Sequence, residues 1–239
     1  MNMQGKSVLV TGANRGIGAA LVRALLKQDV SKVYAAARNP SALPDFGDAR
    51  VVPLQIDVTN PDEVKAAAGK ISSLDVLINN AGIMTFAHVL SATPEELAAD
   101  MDVNYYGTLR VTQAFLPLIE KQGGGAIVNL VSIAGLASVA AISGYSASKA
   151  ALFSATQAMR IALKAKNIEV IGVFPGPIDT DLAKDLPLDK ASADETVDNI
   201  VNAIIAGSED IYPDPTSFPL SDLWKTDPKG LEKFFANMA

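Results

Sequence analysis

The fold is decided by residues 7–18, which read SVLVTGANRGIG. The run Ser7–Val10 lacks polar alternation, as in a strand that is buried on both faces. Gly12, Gly16 and Gly18 follow at the spacing G-x-x-x-G-x-G, and a helical pattern begins there. Glycine lets the backbone turn tightly and approach a ligand closely, and a helix N-terminus offers unpaired N–H groups to a phosphate. The stretch predicts a dinucleotide site; the alternative is a strand-to-helix turn that uses glycine for geometry alone.

Strand and helix patterns alternate along the rest of the chain. The strand candidates are Ser7–Val10, Lys32–Ala36, Arg50–Gln55, Asp75–Ile78, Ala126–Val131, Glu169–Phe174 and a short one near Ile211. The helical patterns are Gly18–Lys27, Asp62–Ile71, Glu95–Met101, Val103–Lys121, Ser146–Lys166 and Ala193–Ala206. This order predicts an α/β fold, a Rossmann-like doubly wound parallel sheet of about seven strands flanked by helices.

The chain has no linker rich in Gly, Ser or Pro, so we expect a single domain over residues 1–239. Residues 6–182 would form the core for cofactor binding and catalysis, and residues 183–239 a substrate lid and a C-terminal tail. The tail from Ser208 is rich in proline and aromatic residues, and it is predicted to be irregular until a last helix from about Pro228. Its aromatic residues are expected to pack against the last strand and helix; the alternative is that they close the pocket or contact a partner subunit.

Composition excludes several classes of function. The net charge is −6, which argues against a nucleic-acid partner, and the absence of cysteine excludes disulfides and thiolate metal sites. His88 is the single histidine and has no acidic neighbour in sequence, so no metal site is expected. The uncharged stretch Gln122–Ser148 is interrupted by glycine, serine and asparagine, so we expect a buried strand and a loop, and no membrane span. A cytoplasmic location fits these features.

The end of the second strand candidate distinguishes NAD(H) from NADP(H). A carboxylate there binds the adenosine ribose 2′-hydroxyl and repels a 2′-phosphate. This chain has Arg38 at that place, with Asn39 next and no acid before Asp45, and Arg15 lies within the glycine turn. Two guanidinium groups suit a doubly charged phosphate. The sequence predicts NADP(H); the alternative is that Arg38 only ends a strand at the surface.

Three residues further along form a group that could handle a proton. Tyr145 and Lys149 are four residues apart and share one helix face, and Ser132 follows the strand candidate Ala126–Val131. An ammonium about 4 Å from a phenolate stabilises it by roughly 4 kcal/mol at an effective dielectric of about 20, or about three pKa units. Ser132 could donate to a carbonyl oxygen that gains negative charge. Taken alone, each of these residues also fits an ordinary structural role: Tyr145 and Lys149 on a helix, and Ser132 at the end of a strand.

Together these motifs resemble the short-chain dehydrogenase/reductase family, in its compact single-domain branch. The resemblance covers roughly Lys6 to Leu182. The matching motifs are Thr11-Gly12-x-x-x-Gly16-Ile17-Gly18, Asp57-Val58, Asn79-Asn80-Ala81-Gly82, Asn104, Ser132, Tyr145-x-x-x-Lys149 and Pro175-Gly176.

The resemblance implies a role for each matching residue. Tyr145 would be the general acid in reduction and the base in oxidation, and Lys149 would lower its pKa and hold the nicotinamide ribose. Ser132 would polarise the carbonyl, and Asn104 would hold a water in a proton relay. The expected cofactor contacts, including those argued from the charges above, are Gly12, Asn14, Arg15, Gly16, Ile17, Gly18, Arg38, Asp57, Val58, Asn80, Ala81, Gly82, Tyr145, Lys149, Pro175, Gly176, Ile178 and Thr180.

Two departures from the family pattern concern assembly and substrate access. Residues 211–215 read IYPDP in place of the glycine-rich last strand that builds a tetramer in many members, so a monomer, a homodimer and a homotetramer all stay open. The lid between Ile178 and Ser192 is short, which predicts a more open pocket.

The expected function is hydride transfer between NADP(H) and a small or medium carbonyl or alcohol substrate. One alternative is a non-catalytic NADP-binding sensor or scaffold, although such proteins typically lose the tyrosine or the lysine. Another is an acyl-carrier-protein-linked ketoacyl reductase, which would need a basic docking patch beside the cleft. The candidate residues for that patch are Arg110, Lys121, Arg160, Lys164 and Lys166.

Overall fold

The strands occupy nearly the residues that the sequence predicts. The computed structural model describes residues 1–237, so the last two residues of the predicted domain lie outside the described part. The strands are β1 (Ser7–Thr11), β2 (Lys32–Ala37), β3 (Val51–Gln55), β4 (Val76–Asn79), β5 (Gly125–Leu130), β6 (Ile168–Val173) and β7 (Asp210–Ile211). Within residues 1–237 they form one seven-stranded sheet in the order β3-β2-β1-β4-β5-β6-β7, and every pair is parallel. The predicted fold class is confirmed.

The helices connect successive strands and cover both faces of the sheet. They are α1 (Gly16–Leu26), α2 (Pro61–Ala68), α3 (Pro94–Asp100), α4 (Thr108–Lys121), α5 (Ser143–Leu163), α6 (Ala193–Ala206), α7 (Ser217–Thr226) and α8 (Pro228–Ala236). Residues 101–107 form a π-helical segment between α3 and α4, so the helix predicted from Val103 starts with a different hydrogen-bonding pattern. Three of the helices have side-chain N-caps: Asn60, Thr93 and Ser192 each accept a backbone N–H of their helix.

Helix α7 lies in the part of the tail that was predicted to be irregular. Pro219 is its third residue, where a backbone N–H has no partner within the helix, so proline is tolerated. Leu220 of α7 packs in one buried cluster with Phe235 of α8 and with Phe174, which directly follows β6. The Tyr212 ring stacks on Phe174 with the ring centroids 5.1 Å apart. The tail aromatics thus pack as predicted, with the exception of Phe218 and Phe234, which are exposed.

Apolar side chains fill both sides of the sheet. On one side, Leu21 of α1 and Ile200 of α6 are buried against β1 and β4. On the other, Phe115 of α4 packs in a buried cluster with Val64 of α2. The connections after β1 and β4 diverge because the strand order reverses between these two neighbours, and such a switch point opens a cleft at the carboxyl ends of the strands.

The uncharged stretch Gln122–Ser148 contributes β5, short helical turns and the start of α5. In the described part of the chain, helices that combine the length and the apolar character needed to cross a membrane are absent.

Candidate active site

A cleft of about 410 Å³ opens at the carboxyl ends of β1, β2, β4 and β5. It brings together most of the predicted site residues, although they come from distant parts of the sequence. Of the predicted residues, the cleft is lined by Gly12, Asn14, Arg15, Gly16, Ile17, Gly18, Arg38, Asp57, Val58, Asn80, Ala81, Gly82, Tyr145, Lys149, Pro175 and Thr180. Gly176 and Ile178 lie outside the lining: the Gly176 N–H donates to Asp214, and Ile178 is buried and bridges to Ala191.

The glycine turn is held against the end of β4 by hydrogen bonds. The Asn80 amide Nδ2 donates to the carbonyls of Thr11 and Gly12, at 2.9 and 3.2 Å. The Thr11 hydroxyl accepts the backbone N–H groups of Asn80 and Ala81, both at 3.0 Å. Thr11 was not among the predicted site residues, although its place at the start of the matching glycine motif was a usable signal.

The N-terminus of α1 fits the pyrophosphate of a dinucleotide. Arg15 is its N-cap residue, and no side chain caps the helix. The N–H groups of the first turn therefore have no side-chain acceptor, and a phosphate supplies the negative charge and the acceptors that they need. Gly12, at φ +67°, brings the backbone into this space without a side chain.

Basic residues lie at the cleft end where the adenosine half of a dinucleotide would bind. Arg38 is exposed and borders the cleft beside Asp57. Burial alone would raise the pKa of Asp57, but hydrogen bonds from Thr59 and the charge of Arg38 outweigh it, and the pKa is lowered. Arg15 is already engaged, because its Nη1 contacts Asp181 Oδ2 in the lid at 3.0 Å. Both of these side chains are exposed, so the pair is a weak one.

Tyr145 and Lys149 line the same cleft from α5, and Ser132 directly follows the lining residue Val131. All three are buried, with 8%, 4% and 7% of their surface exposed. The Lys149 Nζ donates to the Leu130 carbonyl at 2.7 Å and lies 5.6 Å from the centre of the Tyr145 ring. The Ser132 hydroxyl contacts the Pro175 carbonyl at 3.4 Å and accepts the Ala134 N–H at 3.1 Å. The structure therefore brings together the three residues that were predicted to handle a proton, and their role stays a prediction.

The pKa of Tyr145 differs from the sequence-based expectation. Burial raises it to about 12, the hydrogen bond with Ser132 opposes this rise, and the negative charge of Asp100 adds to it. Burial likewise lowers the pKa of Lys149 to about 8, and Asp100 opposes that change. The expected lowering of the Tyr145 pKa by Lys149 is therefore wrong for this site: the groups that act on Tyr145 are Ser132 and Asp100, and burial penalises the phenolate most.

Comparison with known proteins identifies the family. The family model described as short chain dehydrogenase matches residues 6–191. This chain belongs to the short-chain dehydrogenase family. A crystal structure of a short chain dehydrogenase from Burkholderia cenocepacia in complex with NADP is 38% identical to this short-chain dehydrogenase. The two superpose with a TM-score of 0.93, over 98% of this chain and 99% of that one.

Relatives in sequence agree on the class of protein. An uncharacterised oxidoreductase of Staphylococcus saprophyticus is 35% identical over 77% of this chain and 83% of its own length. The ketoacyl reductase HetN of Nostoc is 32% identical over 85% of this chain and 75% of its own length. A more distant enzyme of the family, from Burkholderia phymatum and solved in complex with NAD, shares 21% identity and a TM-score of 0.85, and so shows the fold alone. This short-chain dehydrogenase is an oxidoreductase.

Asn104 is buried in the π-helical segment of the short-chain dehydrogenase, beside the cleft. Its Oδ1 accepts the Ile83 N–H at 2.9 Å, and its Nδ2 donates to the Ile83 carbonyl and to the Ser148 hydroxyl, both at 2.9 Å. Both amide hydrogens are thus in use. A relay water at Asn104 would therefore have to donate a hydrogen bond to an oxygen atom of Asn104. The side-chain amide of Asn104 itself positions the loop after β4.

Two buried carboxylates near the cleft were missed by the sequence analysis. Asp214 accepts the N–H of Gly176 at 2.9 Å and that of Ser217 at 2.9 Å, and so ties the tail to the loop after β6. An aspartate two residues before Thr216 predicts a local turn, but nothing in the sequence predicts its contact with Gly176. Asp100 is completely buried and lies four residues before Asn104, and both side chains contact the loop after β4.

Proposed function

We propose that this short-chain dehydrogenase transfers hydride between NADP(H) and a small or medium carbonyl or alcohol substrate. The observation that carries the proposal is that Tyr145 and Lys149 line the same cleft as the glycine turn. The glycine turn and the N-terminus of α1 would hold the pyrophosphate of the cofactor, and Tyr145 and Lys149 would line the part of the cleft that serves its nicotinamide end. Positioning of this kind accounts for a large part of enzymatic rate enhancement.

The preference for NADP(H) rests on charge. Arg38 lines the cleft at the end of β2, where a carboxylate would otherwise select NAD(H). Asp57 also lines this end, but Thr59 holds its carboxylate: the Thr59 backbone N–H and hydroxyl donate to it at 2.9 and 2.7 Å. The relative from Burkholderia cenocepacia, with 38% identity, was solved with NADP, which supports the same choice.

The chain's own residues account for the proton transfer. The bound cofactor supplies or accepts the hydride. In reduction, the Tyr145 hydroxyl transfers its proton to the substrate oxygen as negative charge develops there, and Ser132 hydrogen-bonds to that oxygen. The ammonium of Lys149, one helical turn away, stabilises the phenolate that is left. Oxidation runs the same steps in reverse, with the phenolate of Tyr145 as the base.

An acyl-carrier-protein-linked ketoacyl reductase is the second candidate, and the relative HetN is the reason to keep it. The basic residues that such a carrier would need are mostly engaged with acids of the chain. Arg110 pairs with Asp102, Arg160 with Asp210, and Lys166 with Glu120. Because acidic residues of the chain neutralise their charges, these basic residues would attract an acidic carrier protein only weakly.

A non-catalytic sensor or scaffold is disfavoured because Asn104, Ser132, Tyr145 and Lys149 are all present and buried together. The test is a screen of NADPH and NADH consumption with aliphatic, aromatic and keto-ester carbonyls and with a carrier-linked ketoacyl substrate. We expect NADPH-dependent reduction of a free carbonyl. Binding of NADPH without turnover on any substrate would favour the sensor. Two expectations stay predictions: the cytoplasmic location and the absence of a nucleic-acid partner. The oligomeric state stays open.

A further inference from the structure

The buried carboxylate of Asp100 has no part in the mechanism above. Asp100 is the last residue of α3 and has 0% of its surface exposed. Both of its oxygens contact Thr85, in the loop after β4. The Thr85 N–H donates to Oδ1 at 3.1 Å, and the Thr85 hydroxyl donates to Oδ2 at 2.5 Å. A carboxylate is costly to bury unless it is paired or hydrogen-bonded, so its contacts indicate what it does.

Asp100 repeats, one helical turn earlier, the contact that Asn104 makes. Asn104 binds the backbone of Ile83, and Asp100 binds the backbone and side chain of Thr85. The loop therefore runs along α3 and the π-helical segment and is held at two successive points. It continues to Ala87, whose carbonyl accepts the Ser143 hydroxyl of α5 at 2.9 Å.

The same carboxylate lies against the start of α5, next to the catalytic tyrosine. A Cβ atom on Gly144, the residue before Tyr145, would lie 3.0 Å from Asp100 Oδ2. The N-terminus of a helix carries partial positive charge, which favours a carboxylate in this place. Asp100 thus touches both the loop beside the cleft and the helix that carries Tyr145 and Lys149.

The charge of Asp100 acts on both catalytic residues. Burial lowers the pKa of Lys149, and Asp100 is the charged group that opposes this. For Tyr145, the groups that act are Ser132 and Asp100. Burial raises the pKa of Asp100 itself, whereas the Thr85 hydrogen bonds and the charge of Lys149 oppose that rise. The neighbouring Asp102 is directed elsewhere, because its Oδ1 contacts Arg110 Nη2 at 2.7 Å near the surface.

We propose that Asp100 is a positioning residue of the catalytic centre: it clamps the loop at Thr85, and it places a buried negative charge against the start of the helix that carries Tyr145 and Lys149. The catalytic consequence rests on the proposed function, since Lys149 must be charged to stabilise the phenolate of Tyr145. The clamp and the charge effect can be measured without turnover.

The test separates the charge from the clamp with three variants. Asp100→Asn removes the charge, and its amide can still accept the Thr85 N–H and donate to the Thr85 hydroxyl. Asp102→Asn removes the same charge two residues away and is the matched control. Asp100→Ala removes both charge and clamp. The direct readout is an NMR titration of protein labelled with ¹³C-lysine, without cofactor, in which Lys149→Met assigns the signal.

We expect the Lys149 pKa to fall in Asp100→Asn and to keep its wild-type value in Asp102→Asn. An unchanged Lys149 pKa in Asp100→Asn, or an equal fall in both variants, would overturn the inference, whether or not the protein reduces carbonyls. If the wild type shows no turnover, the proposed function fails while the titration still decides the role of Asp100. If Asp100→Ala does not fold, the two asparagine variants are sufficient.

The kinetic readout uses an active carbonyl substrate at saturating NADPH. In Asp100→Asn, kcat/KM for reduction should begin to fall at lower pH than in the wild type or in Asp102→Asn. In Asp100→Ala, the substrate KM should rise by roughly three- to tenfold as well, because the loop loses a charge-assisted hydrogen bond. An Asp100→Asn profile that coincides with the wild-type profile would contradict the charge effect, and an unchanged KM in Asp100→Ala would contradict the clamp.

Discussion

Gly18 lies so close to Gly12 that a Cβ atom at position 18 would stand 2.1 Å from the Gly12 carbonyl oxygen. It would also stand 2.5 Å from Asn80 Nδ2, which holds the turn in place. No side chain fits between the first turn of α1 and the end of β1, so glycine is required at position 18 for packing as well as for the approach of a phosphate.

Gly18→Ala is expected to destabilise the protein by about 1–3 kcal/mol and to weaken NADPH binding at least about tenfold, because the turn must move to admit a methyl group. Thermal unfolding and fluorescence titration with NADPH measure the two effects. Gly69→Ala is the matched control, since a Cβ there meets its nearest atom at 3.5 Å on the exposed end of α2. Equal behaviour of the two variants would show that the close approach at Gly18 is unimportant.

Tyr145→Phe is expected to lower turnover by about 10²–10⁴-fold, the usual contribution of a general acid, and to leave NADPH affinity nearly unchanged. The ring and its packing are kept, and only the hydroxyl is lost. Tyr106→Phe, at an exposed tyrosine, should keep full activity. Carbonyl-dependent NADPH oxidation measures both. Substantial turnover in Tyr145→Phe would remove this residue from the mechanism.

Arg38→Asp is expected to weaken NADPH binding at least about tenfold and to improve NADH binding, because a carboxylate repels the 2′-phosphate and accepts the ribose hydroxyl. Dissociation constants for both cofactors measure the change. Lys70→Asp makes the same change of charge on the exposed surface outside the cleft and should leave the preference as it is. A wild type that already prefers NADH would contradict the cofactor assignment.

The pH dependence of carbonyl reduction follows from the two shifted pKa values. Burial raises the pKa of Tyr145 to about 12, so its phenol keeps its proton throughout the working range. Burial lowers the pKa of Lys149 to about 8, so the lysine loses its charge first. We therefore expect kcat/KM for reduction to fall as the pH rises through about 8, where the ammonium is lost. A profile that stays flat well above this pH would show that Lys149 is not required in its charged form.

Much of the fold follows from local sequence alone. Apolar runs such as Ser7–Val10 and Ala126–Val131 predict their strands to within one residue, because a buried parallel strand needs no distant information to be recognised. The caps at Asn60, Thr93 and Ser192 are equally local, since the bonds they make span two or three residues. Helix α7 was missed because Pro219 and the flanking prolines predict irregular chain, and its packing against Phe174 outweighs that preference.

The sequence by itself determined which residues we propose to carry the chemistry, since the glycine spacing and the pair Tyr145 and Lys149 are patterns of near neighbours. Only the tertiary structure decided their environment. The burial that raises the pKa of Tyr145, the Leu130 carbonyl that binds Lys149, and the Asp100 clamp on Thr85 join residues 15 or more positions apart. The desolvation of a titratable group depends on all the residues packed around it, so a local sequence pattern does not predict it.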